Sequence, residues 1–138
     1  MDELTREGHP WVFCDPHGHI LRVNEHFVSM CGYTEEEVIG KRPKDFLHGS
    51  YTEQDKKEML SSYLWNRLPV STQITNYRKN GEAYRAHLTI LPYPFDSHSD
   101  PHFFGIPHDL KDRKSPDLKF RTVIFDTTRK LFGSTGGN

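Results

Sequence analysis

The chain has 138 residues, the size of one ordinary domain, with room for a self-supporting core and one small internal pocket. Apolar residues make up only 34 %, a shortfall that the 12 % aromatic share offsets because each ring buries a large area. The balance of 18 basic and 19 acidic side chains excludes a general electrostatic grip on nucleic acid or an acidic membrane, and no apolar run approaches the ~20 residues of a membrane span.

Met1 to Pro10 is polar, has no signal-peptide core, and reads as a flexible or capping segment. Trp11 to Cys14 reads as a strand, Asp15-Pro16-His17-Gly18 as a turn, and Ile20 to Val23 as the returning strand of a hairpin. Asn24 can cap a short helix with Phe27, Met30 and Cys31 on one face, ended by Gly32. Thr34 to Glu37 is a capping box that starts another short helix, stopped by Gly40. Lys41 to Gly49 reads as a loop, interrupted by Pro43 and carrying Phe46 and Leu47. From Thr52-Glu53-Gln54-Asp55 runs the longest helix, with Met59, Leu60, Tyr63 and Leu64 as a buried stripe and Pro69 as its end.

Val70 to Arg78 is strand-like, and Asn80-Gly81 suits a tight hairpin turn with both φ angles positive. The returning strand, Ala83 to Pro92, places Tyr84, Ala86, Leu88 and Ile90 on one face. A loop from Tyr93 to Pro101 leads to a last strand, Phe103 to His108. Hairpins at both ends with helices between them predict an α+β fold, an antiparallel sheet with short helices on one face. The domain is expected over residues 11–110, with 1–10 as an N-terminal cap and 111–138 as a C-terminal extension. Ser115-Pro116-Asp117 can start a helix there, although Thr122 to Phe125 favours a strand by propensity; a helix packed on the domain or on a second copy is the expectation.

DPHGHILRVNEHFVSMCGYTEEEVIGKRPKDFLHG resembles the first half of a PAS domain: a D-x-x-G hairpin, a V-N step, then G-Y-[ST]-x-x-E-x-[IL]-G. NYRKNGEAYRAHLTILPYPFDSHSDPHFFGIPHDL is similar to the closing strands of the LOV subgroup, the blue-light flavin sensors. The resemblance runs from Trp11 to Leu110 with several motifs in order. It implies a five-stranded antiparallel sheet cradling a pocket on its helical side, and a sensory role in signal transduction exercised through an effector domain or protein, or a homodimer. Two cysteines, Cys14 and Cys31, make no disulfide framework, which points to a reducing, cytoplasmic setting.

The resemblance also bears on flavin chemistry. A LOV photosensor needs the cysteine of its G-x-N-C-R-F-L-Q-G loop to form the flavin adduct. The matching stretch, Gly40 to Gly49, is one residue longer and puts Pro43 or Lys44 at that position. Of the three polar side chains that hold the flavin ring in the subgroup, the first matches Asn76, the second falls on Ala86, and the third, a glutamine, falls on Pro107. Gln54 and Ser61 fall near the phosphate-binding arginines, with Lys44, Lys56 and Lys57 as possible point charges. Standard FMN binding is therefore disfavoured. A ligand is expected between the face bearing Ala86, Leu88 and Ile90 and the helices near Phe46 and Met59, with Asn76, Pro107 and Lys44 at its borders. A strand Asn that faces solvent or caps a turn is the plain alternative for Asn76.

Three other readings compete. His17, His19, Asp96, His98, Asp100 and His102 could ligate a metal, but solvated polar loops explain them without one. His87 belongs on the outer sheet surface, away from any haem pocket. Neither cysteine has a His and Asp partner at a recognisable spacing, so the chain is not read as an enzyme. The remaining alternatives are an FMN or FAD redox or light sensor and a cofactor-free interaction or dimerisation module. For the latter, Tyr77, Arg85, His87 and Thr89 would line an outer sheet face, with an apolar seam from Phe120 to Phe132. The PAS domains of voltage-gated potassium channels carry a similar D-F-L-H-G stretch, here Asp45 to Gly49.

Overall fold

Asp15 organises the first hairpin. Its Oδ1 accepts from the backbone N–H groups of His17 and His19, each at 2.9 Å, and Gly18 takes the positive φ of 87° that closes the turn. This joins β1 (Val12–Cys14) to β2 (Ile20–Val23). A computed structural model of the chain describes residues 2–93, 100–112 and 127. A short helix, α1 (Glu3–Arg6), precedes the hairpin. After it come α2 (Glu25–Cys31), α3 (Glu35–Val38), α4 (Pro43–Leu47) and α5 (Gln54–Trp65). The chain closes on β3 (Val70–Tyr77), β4 (Ala83–Tyr93), β5 (His102–Asp109) and a 3-10 turn at Leu110–Asp112. The five strands form one antiparallel sheet in the order β2-β1-β5-β4-β3, the α+β layout the hairpins predict.

Local chemistry accounts for most of the helix ends. Asn24 caps α2 by accepting from the Phe27 N–H at 3.0 Å, and Gly32 ends that helix in the left-handed conformation. Thr34 and Glu37 exchange both bonds of a capping box at the start of α3. The stretch expected as loop, Lys41 to Gly49, instead contains α4. Pro43 sits in its first turn, where its missing N–H costs nothing, and Asp45 accepts from the Arg42 N–H at 3.2 Å. The Asn80-Gly81 turn also differs from expectation. Only Gly81 has a positive φ, and the bonds Gly81 N–H to Arg78 O and Arg78 N–H to Glu82 O make a type I turn closed by a glycine bulge. In α5 the expected stripe narrows to buried Leu60, with Met59 and Leu64 half-buried and Tyr63 exposed, and the helix ends at Trp65, ahead of Pro69.

Both faces of the sheet are covered. On the helical side Val12, Cys14, Ile20, Val23, Phe27 and Phe103 form one core cluster, and Leu60, Val70, Ile74, Tyr84 and Ala86 a second. On the other side Trp11, Phe13, Phe104, Ile106 and Tyr93 pack with Leu4 of α1. The N-terminal segment thus packs on this face through Leu4, and Asn24 bonds to it. Its Oδ1 accepts from Trp11 N–H at 3.0 Å, while its Nδ2 donates to Thr5 Oγ1 at 3.0 Å and to His9 O at 2.8 Å. His9 Nδ1 in turn lies 2.8 Å from His108 Nε2 on β5.

Tyr77, expected on the outer face, turns round the sheet edge instead: its hydroxyl accepts from Tyr51 N–H at 2.7 Å and its ring covers Gly49. A Cβ at Gly49 would stand 2.4 Å from the ring, so only glycine fits there. The helix expected within 111–138 and the seam from Phe120 to Phe132 lie outside the described residues, apart from Thr127, which is helical and buried.

Two outcomes follow from these ties. Asn24→Ala removes a cap and three further buried bonds, and should lower the unfolding free energy by about 3 kcal/mol in urea titration, with Asn24→Asp, which keeps the acceptor, losing less. The second concerns Asp109, whose Oδ2 accepts from Arg78 Nη2 at 2.5 Å. Burial pushes its carboxyl up, but the bonds from Arg78 and the Lys111 N–H and the charge of Arg78 outweigh this and hold it below 3.8. A depressed carboxyl stabilises the fold above its unfolded pKa and loses that contribution as pH falls through the folded one. Thermal melts of wild type and Asp109→Asn should therefore differ fully at neutral pH and converge only on acidification below 3.8.

Candidate functional site

The inner sheet face is set by strand alternation. Along β3, Val70, Thr72, Ile74 and Asn76 are buried, while Ser71 and Gln73 are exposed. Register then places Asn76 opposite Tyr84, Ile74 opposite Ala86, Thr72 opposite Leu88 and Val70 opposite Ile90. On the next strand Asp109, Pro107 and Gly105 face Ala86, Leu88 and Ile90. Five of the expected site residues thus share one floor: Asn76, Ala86, Leu88, Ile90 and Pro107. Phe46 reaches it from α4, packing against the same core cluster as Ile90 and meeting the Tyr33 ring edge-on at 4.9 Å between centroids.

Lys44 does not join them. It is exposed on α4, and its charge, with that of Lys57, acts on half-buried His48, whose pKa is lowered chiefly by burial and then by these two lysines. Lys44 is therefore not a side chain within the floor, and Asp45 opposes the two lysines at His48. Pro107 is fully buried and sits beyond the β1 ladder, which covers only Phe103 to Gly105 of β5, so a residue without an N–H is accommodated there. His87 lies on the outer surface as expected, 2.8 Å from Ser71 Oγ, and Arg85 there pairs with Glu53.

The floor is not uniformly closed. Ala86 is fully covered, yet Leu88 and Ile90 remain half-buried, as do Met30, Phe46, Met59 and Leu64 on the helical side. Met30 and Ile90 pack against both inner clusters, so flexible thioether and branched aliphatic groups fill the space between sheet and helices. Two clefts open beside this region, not beneath Phe46: one of about 290 Å³ between the N-terminal segment, α2 and Arg78, the other of about 360 Å³ between α2 and the β3–β4 turn.

Asn76, 3 % exposed, overturns the solvent-facing alternative. Across from it, Tyr84 is 5 % exposed and its hydroxyl is fully buried with no hydrogen-bond partner among the described residues. Burial pushes the Tyr84 phenol up to about 12, so it stays protonated at neutral pH; Arg78 opposes that rise, and the Asn76 amide lies near enough to ease ionisation although it falls short of a hydrogen bond.

Sequence reasoning missed Arg78. It sits in the same strand parity as Asn76, and its guanidinium lies 4.1 Å above the Tyr84 ring, donating to Met30 O at 2.6 Å, Glu82 Oε1 at 2.6 Å and Asp109. The two cysteines are buried in other elements, Cys14 in β1 and Cys31 at the end of α2, in the same core cluster as Leu47 of α4. Burial, helped by Asp15, pushes the Cys14 thiol up to about 12, and burial likewise raises Cys31. Among the described residues no group of three or more His, Cys, Asp or Glu could hold a metal; Asp96 and His98 lie outside them. No described helix is long and apolar enough to cross a membrane.

Comparison with known proteins agrees with this architecture. The chain is 33 % identical over 98 residues to the blue-light-activated histidine kinase 2 of Erythrobacter litoralis (strain HTCC2594), an alignment covering 71 % of this chain and 28 % of that kinase. The chain thus spans well under half the length of that relative. The LOV domain from the Erythrobacter litoralis EL346 blue-light activated histidine kinase superposes with a TM-score of 0.71 at 28 % identity, over 74 % of this chain and 95 % of that one. The PAS domain of the fruit-fly ELK potassium channel gives 0.71 at 20 % identity, over 78 % and 90 % of the two chains, a likeness of fold alone. Residues 9–112 match the PAS domain family, so the sheet, its helical cover and the floor between them are those of a sensory domain of signal transduction, and the chain belongs to the PAS domain family.

Proposed function

We propose that this PAS domain senses a small ligand held without a covalent bond between the inner sheet face and α2, α4 and α5, and that no cysteinyl–flavin adduct takes part. The observation that carries this reading is the start of α4, where Pro43 occupies the first turn and Lys44 points to solvent while both thiols are buried in other elements. A thiol must reach the flavin ring and ionise readily to form an adduct. Burial raises the pKa of both thiols and so opposes their ionisation, and neither thiol belongs to α4.

The half-buried apolar lining of Leu88, Ile90, Phe46 and Met59 supports a small planar ligand, and the blue-light receptors among the relatives favour a flavin held by contacts alone as its most specific form. The charges of Lys44 and Lys57 beside His48 would then attract a phosphate. Output is proposed to pass to a second copy or an effector through the outer face at Arg85, His87 and Thr89, the part of that face not covered by α1. Catalysis has no place in this reading.

The test is a visible absorption spectrum of the purified protein, alone and after loading with FMN, before and during blue light. The expected result is either no flavin band or a band that blue light bleaches only when an electron donor such as EDTA is added, with both cysteines still fully alkylated by iodoacetamide after denaturation in the light. Light-dependent loss of the flavin band together with protection of one cysteine from alkylation would falsify the proposal.

A further inference from the structure

His9 and His108 meet ring to ring on the outer side of the sheet. His9 Nδ1 lies 2.8 Å from His108 Nε2, the rings stand edge to face with centroids 5.0 Å apart, and the two residues are 8 % and 2 % exposed. A gap of that length holds one hydrogen, donated by one nitrogen and accepted by the other. One of the two nitrogens must therefore stay unprotonated. His26 and His87 carry no such condition. Their Nε2 atoms face oxygens, Thr5 O and Ser71 Oγ, each at 2.8 Å, and a protonated ring donates to either.

This bond ties the segment ahead of β1 to β5, joining residues 99 positions apart. His9 also holds that segment together, since its N–H donates to Leu4 O and its carbonyl accepts from Asn24 Nδ2, each at 2.8 Å. The titratable and charged groups around the pair come from every neighbouring element. Glu7 of the same segment stands with Oε2 3.4 Å from His9 Nε2, His26 belongs to α2, and His87 on β4 is the register partner of His108. Asp109, the next residue of β5, is paired with Arg78. Glu7 can steady a first added proton shared between the two rings. It cannot accommodate a second, which would set two N–H groups head to head across the same gap.

The geometry points to a proton-operated latch, in which the His9–His108 bond holds the N-terminal segment on the sheet and lets it go when both rings are protonated. The sign follows from linkage. The undocked segment and the strand take up a proton on each ring, whereas the docked pair takes up one at most. Docking therefore weakens as pH falls through the imidazole range near ~6.5, by up to about tenfold per pH unit. Release lifts Leu4 of α1 from the cluster it forms with Trp11, Phe13, Phe104 and Ile106 on the outer sheet face. The latch responds to acidity and stands whether or not a ligand occupies the inner face.

Amide hydrogen exchange between about pH 7.5 and about pH 5 tests the latch, with protection taken relative to the intrinsic rate at each pH. The Arg6, Glu7 and His9 amides, bonded to the carbonyls of Asp2, Glu3 and Leu4, report the N-terminal segment, and the amides of β3 and β4 report the sheet. In wild type the protection of the segment is expected to fall at least about tenfold on acidification, while that of the sheet changes by less than about threefold. His108→Gln should keep the segment's protection level to within about threefold, because a Gln amide can turn either its donor or its acceptor toward His9 Nδ1. His9→Gln is the second variant and carries the same expectation. Unchanged protection of the wild-type segment overturns the latch, and so does a tenfold loss that persists in the variants. Protection lost from segment and sheet together overturns it as well, since the whole domain then opens as one unit.

Discussion

Arg78 must satisfy a half-buried cation at the point where the sheet meets the helices, and the way it does so sets the geometry of everything beside it. Its partners come from three separate elements: the carbonyl of Met30 at the end of α2, Asp109 at the end of β5, and Glu82 across the hairpin. The adjacent Lys79 adds a backbone bond to Cys31 O at 2.8 Å and an ion pair to Glu37 of α3 at 2.7 Å. A half-buried charge is tolerated only when its donors are matched in this way, so the α2 terminus has little freedom to lift from the sheet. Met30 and Cys31 are held above the floor as a result. The Tyr84 ring is pressed beneath the cation with its hydroxyl directed at neighbours that cannot answer it.

Features governed by a few consecutive residues were legible in the sequence. The caps at Asn24, Gly32 and Thr34, the Asp15 turn and the strand parity of β4 depend on local hydrogen bonds and on the period of two, and they appear where those rules put them. The misreadings all involve a choice that distant contacts decide. Pro43 reads as a breaker, yet at the first turn of a helix it is neutral, and burial of Phe46 and Leu47 gives that turn a reason to form. Asn80-Gly81 permits more than one turn, and the bonds made by Arg78 select the bulged one. The N-terminal segment reads as flexible or capping because it is largely polar, and Asn24, His108 and Trp11 rather than periodicity tie it to the sheet. Asn76 lies where the resemblance put it, on the inner face, and its inward direction also follows from parity, since it lies two residues from Ile74 on an alternating strand.

The candidate site was legible as a surface but not as chemistry. Ala86, Leu88 and Ile90 share a face by alternation alone, whereas the pairing of Asn76 with Tyr84 needs the register of two strands, which the mistaken turn obscured. Lys44 was placed by alignment of a loop whose extra residue lies at the start of a helix, and helical geometry carries it outward.

The distribution of polarity along the floor bears on how a ligand would be felt. Pro107 removes hydrogen bonding from the middle of β5 without breaking a ladder, because β1 pairs no further than Gly105. Of the polar groups that remain, Asn76, Tyr84, Arg78 and Asp109 lie at the end of the sheet nearest the β3–β4 turn, while Leu88, Ile90, Phe46 and Met59, with the hydroxyl of Thr72, occupy the other. A ligand lying along this gradient would press on the Arg78 clamp and not on the centre of β5. That clamp joins α2 to Asp109, the last residue of β5, from which the chain leaves through Leu110–Asp112 toward its C-terminal extension. On the proposed reading, the signal therefore passes through a charge-paired joint at the end of the sheet, whose partners can exchange only by uncovering a half-buried cation.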